Sequence, residues 1–170
     1  MVTLAAERIA RPRPENPELR PLWDAAARVV DPELPVLTIE DLGILRAVDV
    51  VADRVRVRIT PTYSGCPAVE AIGADIVQAL AFCGREVRVE VVLAPAWSTD
   101  WLSDAGARKL EAYGIAPPRR GGSVALGLGI RCPLCGSLHT REVSRFGSTS
   151  CKALWECVRC GEPFDRFKEL

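Results

Sequence analysis

Two kinds of hydrophobic pattern alternate along the middle of the chain. Apolar and polar residues alternate over 44–51, 55–60 and 86–93, which predicts three β-strands, the first two joined by a short turn. Between the last two, apolar residues recur every three or four positions over 69–80, which predicts an amphipathic helix. Because a helix that connects two strands of one sheet leaves them parallel, we expect 55–60 and 86–93 to run in parallel.

Helices are also predicted on both sides of these strands. The first begins near residues 18–22 and ends near residue 30, before the prolines of 31–35, because a proline disfavours helix in the residue that precedes it. The last begins with a cap at Ser98 or Thr99 and ends at Gly114. The order helix, strand, strand, helix, strand, helix predicts an α/β (α+β) fold, with helices packed on a small mixed sheet.

The same patterns divide the chain into four segments. Residues 1–16 are rich in arginine and proline and are predicted to be a flexible arm, followed by an α/β domain over 17–114. Residues 115–129 carry prolines and glycines and are predicted to be a linker. The last segment, 130–170, is predicted to be a small cysteine-rich domain. A length of 170 residues suits one ordinary domain and one small one.

Charge and hydropathy narrow the classes of partner. The formal net charge is zero, so composition gives no indication of a nucleic-acid or membrane partner. No apolar run reaches membrane-spanning length and the N-terminus lacks the apolar core of a signal peptide, so we expect a cytoplasmic protein. Seven cysteines in a reducing compartment indicate metal or thiol chemistry and not a disulfide framework.

Four of these cysteines form two matching Cys-x-x-Cys-Gly motifs, at Cys132, Cys135, Cys157 and Cys160. Each motif presents two thiolates to one ion, and the glycine allows the tight turn that follows. Four thiolates predict a structural zinc ribbon, and a single iron ion in the same cage is the chemical alternative. Because a closed shell leaves no open coordination position, the predicted role of this ion is structural.

The rest of this small domain is predicted around that site. Candidate strands lie at 140–144 and 154–156. The only histidine, His139, is not expected to be a ligand, because four cysteines complete the shell. Cys151 is a further thiol in this segment, and the sequence leaves open whether it is a surface thiol or takes part in thiol exchange.

Cys66 has a different setting, at the junction between a strand and a helix. Pro67 fits the first helical position, so Cys66 is expected at or next to the N-cap. Free N–H groups and the helix dipole there predict a thiol pKa below the usual value of about 8.5, which favours the thiolate. Thr60, Thr62 and Ser64 add hydroxyls in the same turn. The sequence therefore predicts a working thiol, and the alternative is a buried cysteine that acts as a small apolar residue.

Other residues have two interpretations each. Asp31 and Glu33 are expected to be solvated loop residues, and a catalytic carboxylate pair is the alternative. Trp97 and Trp101 are expected to anchor packing. We also predict that they line the same face as Cys66, because loops at one end of a sheet converge. Cys83, at the end of a helix, is expected to be a core residue.

Several of these segments together resemble a known family. The segments 31–35, 41–43 and 60–67 resemble the small domain of iron–sulfur cluster assembly and carrier-maturation proteins. With 94–101 and 145–153, the resemblance narrows to the PaaD (PaaJ) family, the D subunits of bacterial phenylacetyl-CoA ring-epoxidase systems. It covers nearly everything from Asn16 to Lys168.

The resemblance implies an accessory, non-catalytic role in phenylacetate degradation. The family's partners are a di-iron oxygenase and a reductase that carries flavin and an iron–sulfur cluster, and the family is thought to assist their maturation. Cys66 matches the family's assembly cysteine, which implies transient handling of iron or a cluster, with Asp31, Thr60, Thr62 and Ser64 beside it. The implied cofactor is structural zinc. The chain itself has too few histidines for the ligand pairs of a di-iron centre.

Two other functions remain open at this point. One is a redox or sulfur-transfer enzyme that uses Cys66 as nucleophile and Cys83 or Cys151 as resolving thiol, although no Cys-x-x-Cys lies at the helix start. The other is a nucleic-acid-binding ribbon, for which the small excess of positive charge over 131–170 is weak support.

Overall fold

The computed structural model describes residues 13–119 and 129–169 of the chain. It divides the chain into two compact units, Met1–Ser103 and Asp104–Leu170. Most of the predicted arm (1–12) and the central part of the predicted linker (120–128) lie outside the described residues. None of the described helices is long and apolar enough to cross a membrane.

The described part of the first unit, residues 13–103, contains two helices and five strands. Short 3₁₀ turns at Ala81–Cys83 and Thr99–Trp101 complete it. The elements in chain order are α1 (Leu19–Ala26), β1 (Val30–Asp31), β2 (Leu34–Thr38), β3 (Leu45–Val51), β4 (Arg54–Ile59), α2 (Ala68–Ala79) and β5 (Val87–Val91).

The central sheet of this unit has the order β3-β4-β5. β3 is antiparallel to β4, and β4 is parallel to β5, as the connecting helix predicted. Val55, Val57 and Ile59 on β4 are fully buried, so the alternation predicted for this strand is confirmed. α1 contacts β3 and α2 contacts β5, so the predicted combination of helices and a small mixed sheet is confirmed.

Three loops of this unit meet at one end of the central sheet. Leu45 at the start of β3 pairs with Ile59 at the end of β4, and β5 ends beside β4 because the two strands are parallel. The loop before β3, the loop after β4 and the loop after β5 therefore all lie at this end of the sheet. These loops contain residues 39–44, 60–67 and 92–103.

Two local predictions in this unit were wrong. The prolines of 31–35 indicated a loop, but β1 and β2 form a small antiparallel pair there. The helix predicted from Ser98 to Gly114 is interrupted, because Leu102 has an extended backbone with ψ of 127°. A 3₁₀ turn capped by Ser98 precedes this residue, and the helix proper begins only at Asp104.

The described residues of the second unit form one helix and one four-stranded sheet. Its buried residues include a cluster of Ala116, Ile130, Cys132, Cys157 and Phe164, with Trp155 packed against it. The elements in chain order are α3 (Asp104–Ala112), β6 (Ile115–Ala116), β7 (Thr140–Ser144), β8 (Lys152–Cys157) and β9 (Pro163–Phe167). The strands lie side by side in the order β6-β9-β8-β7.

The units divide at a different point from the boundary expected after residue 114. Residues 115 and 116, placed in the linker by sequence, form β6, which pairs with β9 and is almost fully buried. The prolines at 117 and 118 argued against a strand at 115–116, and Pro163, the first residue of β9, argued against a strand there.

Candidate functional site

The four motif cysteines come together at one point of the second unit. Their sulfur atoms all lie within 4.8 Å of one another. The Sγ atoms of Cys132 and Cys160 are 3.9 Å apart, and those of Cys135 and Cys157 are 3.5 Å apart. Four sulfurs at about 2.3 Å from a tetrahedral zinc ion would be separated by about 3.8 Å, so the cage has the dimensions of a zinc site.

The two motifs form the same backbone turn. The N–H of Gly136 donates to the carbonyl of Cys132 at 2.9 Å, and the N–H of Gly161 donates to that of Cys157 at 2.8 Å. Both glycines have positive φ, 72° and 76°, which a side chain would oppose. The glycine role predicted from the spacing is therefore confirmed.

The environment of the cage favours metal binding. The backbone N–H of Cys160, more than any other group, lowers the pKa of Cys157 to about 6. A backbone hydrogen bond from Glu162 lowers the pKa of Cys160, but burial and the neighbouring thiols outweigh it and raise that pKa to about 12. These two thiols therefore share one thiolate at neutral pH. Among the described residues, one cluster of three or more His, Cys, Asp or Glu side chains could hold an ion, and it consists of these four cysteines. His139 is not part of it. Its backbone N–H donates to Ser137 Oγ.

Cys66 lies next to the start of α2, as predicted. Pro67 occupies the N-cap with φ of −67°, and Cys66 precedes it. The Cys66 N–H donates to the Tyr63 carbonyl at 3.2 Å, which closes the turn between β4 and the helix. The thiol is half-buried and lies at the end of the sheet where the three loops meet.

The prediction that the pKa of Cys66 is lowered was wrong. Burial raises the pKa of this thiol, and the charges of Glu33 and Asp31 raise it further. A backbone hydrogen bond from Ala68 and a side-chain hydrogen bond from Tyr63 act in the opposite direction but are outweighed. The sequence indicated the helix terminus, but it did not indicate that two carboxylates from a distant loop would lie near the sulfur.

Asp31 is fixed in this position by the β1–β2 turn. Its Oδ1 accepts hydrogen bonds from the backbone N–H groups of Glu33, at 2.7 Å, and Leu34, at 3.0 Å. Asp31 is 5% exposed, so the expectation of a solvated loop residue was wrong. Glu33 and Tyr63 are the two neighbours of Cys66 to which sequence reasoning assigned no part in handling iron.

The three hydroxyl residues of the Cys66 loop have different environments. Thr60 is 1% exposed, and its Oγ1 is buried without a hydrogen-bond partner. Thr62 is half-buried and Ser64 is exposed. A buried hydroxyl without a partner costs free energy, a cost that the more exposed Thr62 and Ser64 do not carry.

The tryptophan segment packs on the turn that precedes β3. Trp97 is 5% exposed, and its Nε1 donates to the Leu42 carbonyl at 2.8 Å. The Trp101 ring lies under the Arg46 guanidinium, 4.1 Å from its centre. Gly43, with φ of 70°, allows the Trp101 backbone to approach closely. The anchoring role is visible in these contacts, whereas lining of the Cys66 site stays a prediction.

The two remaining cysteines lie in different environments. Cys83 is half-buried and not a core residue, with its Sγ 4.0 Å from the Arg85 carbonyl oxygen. Cys151 is 3% exposed and is therefore not a surface thiol, and its Sγ lies 3.0 Å from Thr149 Oγ1.

Comparison with known proteins divides the chain in a similar way. Residues 21–92 match the family model described as iron–sulfur cluster assembly protein. Residues 118–168 match the model described as PaaD zinc beta ribbon domain. The chain is 45% identical over 154 residues to an Escherichia coli (strain K12) protein named as the D subunit of a "Putative 1,2-phenylacetyl-CoA epoxidase". That alignment covers 89% of this chain and 93% of the relative.

Solved structures match the first part of the chain. A domain of unknown function, DUF59, from Bacillus anthracis is 29% identical, with a TM-score of 0.48, and the match covers 52% of this chain and 87% of that one. A conserved hypothetical protein from Thermotoga maritima is 24% identical, with a TM-score of 0.46, over 58% of this chain and 97% of that one.

Proposed function

This chain belongs to the family of 1,2-phenylacetyl-CoA epoxidase D subunits, and on that premise we propose that it is an accessory protein with no catalytic turnover of its own. Its role in this proposal is to supply iron, or an iron–sulfur cluster, to the di-iron oxygenase and the iron–sulfur flavin reductase of the same system. Iron is thus cargo, and zinc is the resident ion of the ribbon. A reducing compartment, the cytoplasm, keeps the required thiols free.

The observation that carries this proposal is the grouping of Cys66 with two carboxylates. Asp31 and Glu33 are close enough to oppose ionisation of the thiol, so the three groups repel one another as anions. A cation bound at the Cys66 sulfur would relieve that repulsion, and a soft sulfur donor with carboxylates nearby suits iron. The segment that contains all three also matches the iron–sulfur assembly model.

The same grouping suits a transient ligand better than a permanent one. The three side chains are not drawn together into a cage like that of the four ribbon cysteines. A half-buried thiol with few donors around it leaves positions open for ligands from a partner, which transfer of cargo requires. Thr60, whose buried hydroxyl has no hydrogen-bond partner, lies in the same loop as Cys66.

The alternative of a thiol-dependent redox or sulfur-transfer enzyme is less well supported. A nucleophilic cysteine needs a lowered pKa, and burial and the nearby carboxylates raise the pKa of Cys66. Of the two candidate resolving thiols, Cys151 is buried.

The ribbon, with its closed zinc cage, is proposed to dock the protein to its partners.

Co-expression with the oxygenase and reductase tests the proposal. Cells carry the wild-type chain, Cys66→Ser or the matched control Cys83→Ser, and iron and acid-labile sulfide are measured in the purified partners. Serine is nearly isosteric but stays protonated at neutral pH, so it removes the anionic sulfur donor without changing the fold. Partners from Cys66→Ser cells should be under-loaded, whereas partners from Cys83→Ser cells should match the wild type.

A mixing experiment separates maturation from turnover. Partners loaded in a wild-type background should epoxidise phenylacetyl-CoA at the same rate with either variant. Full metal loading of the partners in Cys66→Ser cells would show that Cys66 has only a packing role. Loss of activity with fully loaded partners would instead assign Cys66 to the reaction itself.

A further inference from the structure

The β5 strand leaves one edge of the central sheet open. Within residues 13–119 and 129–169, β5 pairs with β4 on one side and with no strand on the other. The Glu86 carbonyl accepts from Val55 N–H, and Val92 N–H donates to the Ile59 carbonyl, so even-numbered residues of this strand bond to β4. The N–H and C=O groups of Val87, Val89 and Val91 consequently point outward from the sheet.

The apolar face of β5 is also incompletely covered. Val87, Val89 and Val91 lie in register with Val55, Val57 and Ile59 of β4, on the same face of the sheet. The three β4 residues are fully buried, whereas Val91 is 48% exposed and Val87 and Val89 are half-buried. An edge strand with free backbone groups and uncovered valines is a template for pairing with another strand.

The charged residues on the other face of β5 indicate which strand could pair with it. The sequence Val87-Arg88-Val89-Glu90-Val91 is symmetric in its apolar positions and opposite in its two charges. If a second β5 runs antiparallel about an axis at Val89, Arg88 faces Glu90 of the other copy, and the axis repeats this pair. Arg88 lies beside Arg56 within its own sheet and has one acidic partner there, Glu86 at 3.5 Å, so the opposing carboxylate adds a second.

The backbone groups agree with the same register. In an antiparallel pair, directly opposed residues alternate between hydrogen-bonded and closer, non-hydrogen-bonded positions. With the axis at Val89, the outward-pointing groups of Val87, Val89 and Val91 occupy the hydrogen-bonded positions. Arg88 and Glu90 then occupy the closer positions, where opposite charges interact best. Charge, apolar face and backbone polarity thus select one pairing.

From these observations we propose that two copies of this chain associate through their β5 strands, which pair antiparallel around Val89 to form one six-stranded sheet. The Val87 side chain of each copy covers the exposed Val91 of the other. The interface uses the sheet edge opposite β3 and involves neither Cys66 nor the zinc cage. It is therefore independent of the proposed function.

Charge exchange tests this pairing on the zinc-loaded full chain by sedimentation equilibrium. The wild type should form a particle of about 37 kDa, twice the 18.5 kDa of one chain. Arg88→Glu and Glu90→Arg should each place like charges opposite one another at both symmetric positions, raising the dimer Kd about tenfold or more. The double variant Arg88→Glu/Glu90→Arg restores opposite charges and should restore the wild-type Kd. Arg20→Glu, an exposed charge reversal on α1, is the matched control and should leave the Kd unchanged.

Three outcomes would overturn the pairing. A wild type that remains monomeric to high concentration would refute pairing between two copies of this chain. A dimer indifferent to both single reversals would place the interface elsewhere. Single variants that dissociate and a double variant that stays dissociated would exclude the register with Arg88 opposite Glu90.

Discussion

Replacing Gly43 by alanine should disrupt the turn on which the tryptophan segment packs. Gly43 has φ of 70°, a conformation that costs an L-residue about 1 kcal/mol. A Cβ at this position would also lie 2.7 Å from the Cβ and 2.7 Å from the carbonyl oxygen of Trp101. The carbonyl is backbone and cannot rotate away, so relief requires a shift of the whole segment, at about 1–3 kcal/mol for overpacking. The expected loss of unfolding free energy is therefore about 2–4 kcal/mol.

Gly84 supplies a control for the backbone contribution alone. It has φ of 65°, and a Cβ there meets nothing within 4 Å. Gly84→Ala should lose only about 1 kcal/mol. Both variants are compared by urea unfolding followed by tryptophan fluorescence in a Trp155→Phe background, because the other tryptophans all lie in the first unit.

The difference between the two variants measures the contact between the turn and Trp101. Equal losses in Gly43→Ala and Gly84→Ala would refute the close approach. A Gly43→Ala protein as stable as the wild type would refute the left-handed backbone as well.

Three further predictions concern the ribbon and Cys66. Cys157→Ser should lose zinc, measured by metal analysis, and should loosen the second unit in hydrogen exchange while the first stays protected. Full zinc occupancy would contradict the four-cysteine cage. The fragment 104–170 should fold with zinc more stably than 130–170, because Ile115 and Ala116 are buried in β6, and equal melting temperatures would favour the boundary expected from sequence. Alkylation of Cys66 should be slow at pH 7 and accelerate only as the pH rises through its raised pKa. Glu33→Gln should move that acceleration to lower pH, because one anion fewer opposes the thiolate, and an unchanged profile in peptide mapping would contradict this reasoning.

The sequence predicted best those features that depend on local spacing. The alternation of 55–60 and the helical period of 69–80 each reflect one buried face, and both elements formed. The ribbon cage followed from two short motifs, since each turn is built within five consecutive residues. These features need no knowledge of distant parts of the chain.

The missed features depend on contacts between distant segments. Pro32 and Pro35 favour a loop locally, yet Val30 pairs with Thr38 once the chain is folded. β6 contains two residues and exists only because β9 binds alongside it. The pKa of Cys66 was misjudged for the same reason. The helix terminus is adjacent in sequence, whereas burial and the charges of Asp31 and Glu33 arise only in the folded chain.

The central claim is that Cys66 receives iron together with its neighbouring carboxylates. The most direct measurement is the alkylation rate of Cys66 in the anaerobic, zinc-loaded chain with and without ferrous iron, with Cys83 in the same sample as internal control. Iron should slow alkylation of Cys66 about tenfold and leave Cys83 unchanged, and Glu33→Gln should weaken the protection. Equal alkylation of Cys66 with and without iron would contradict the claim.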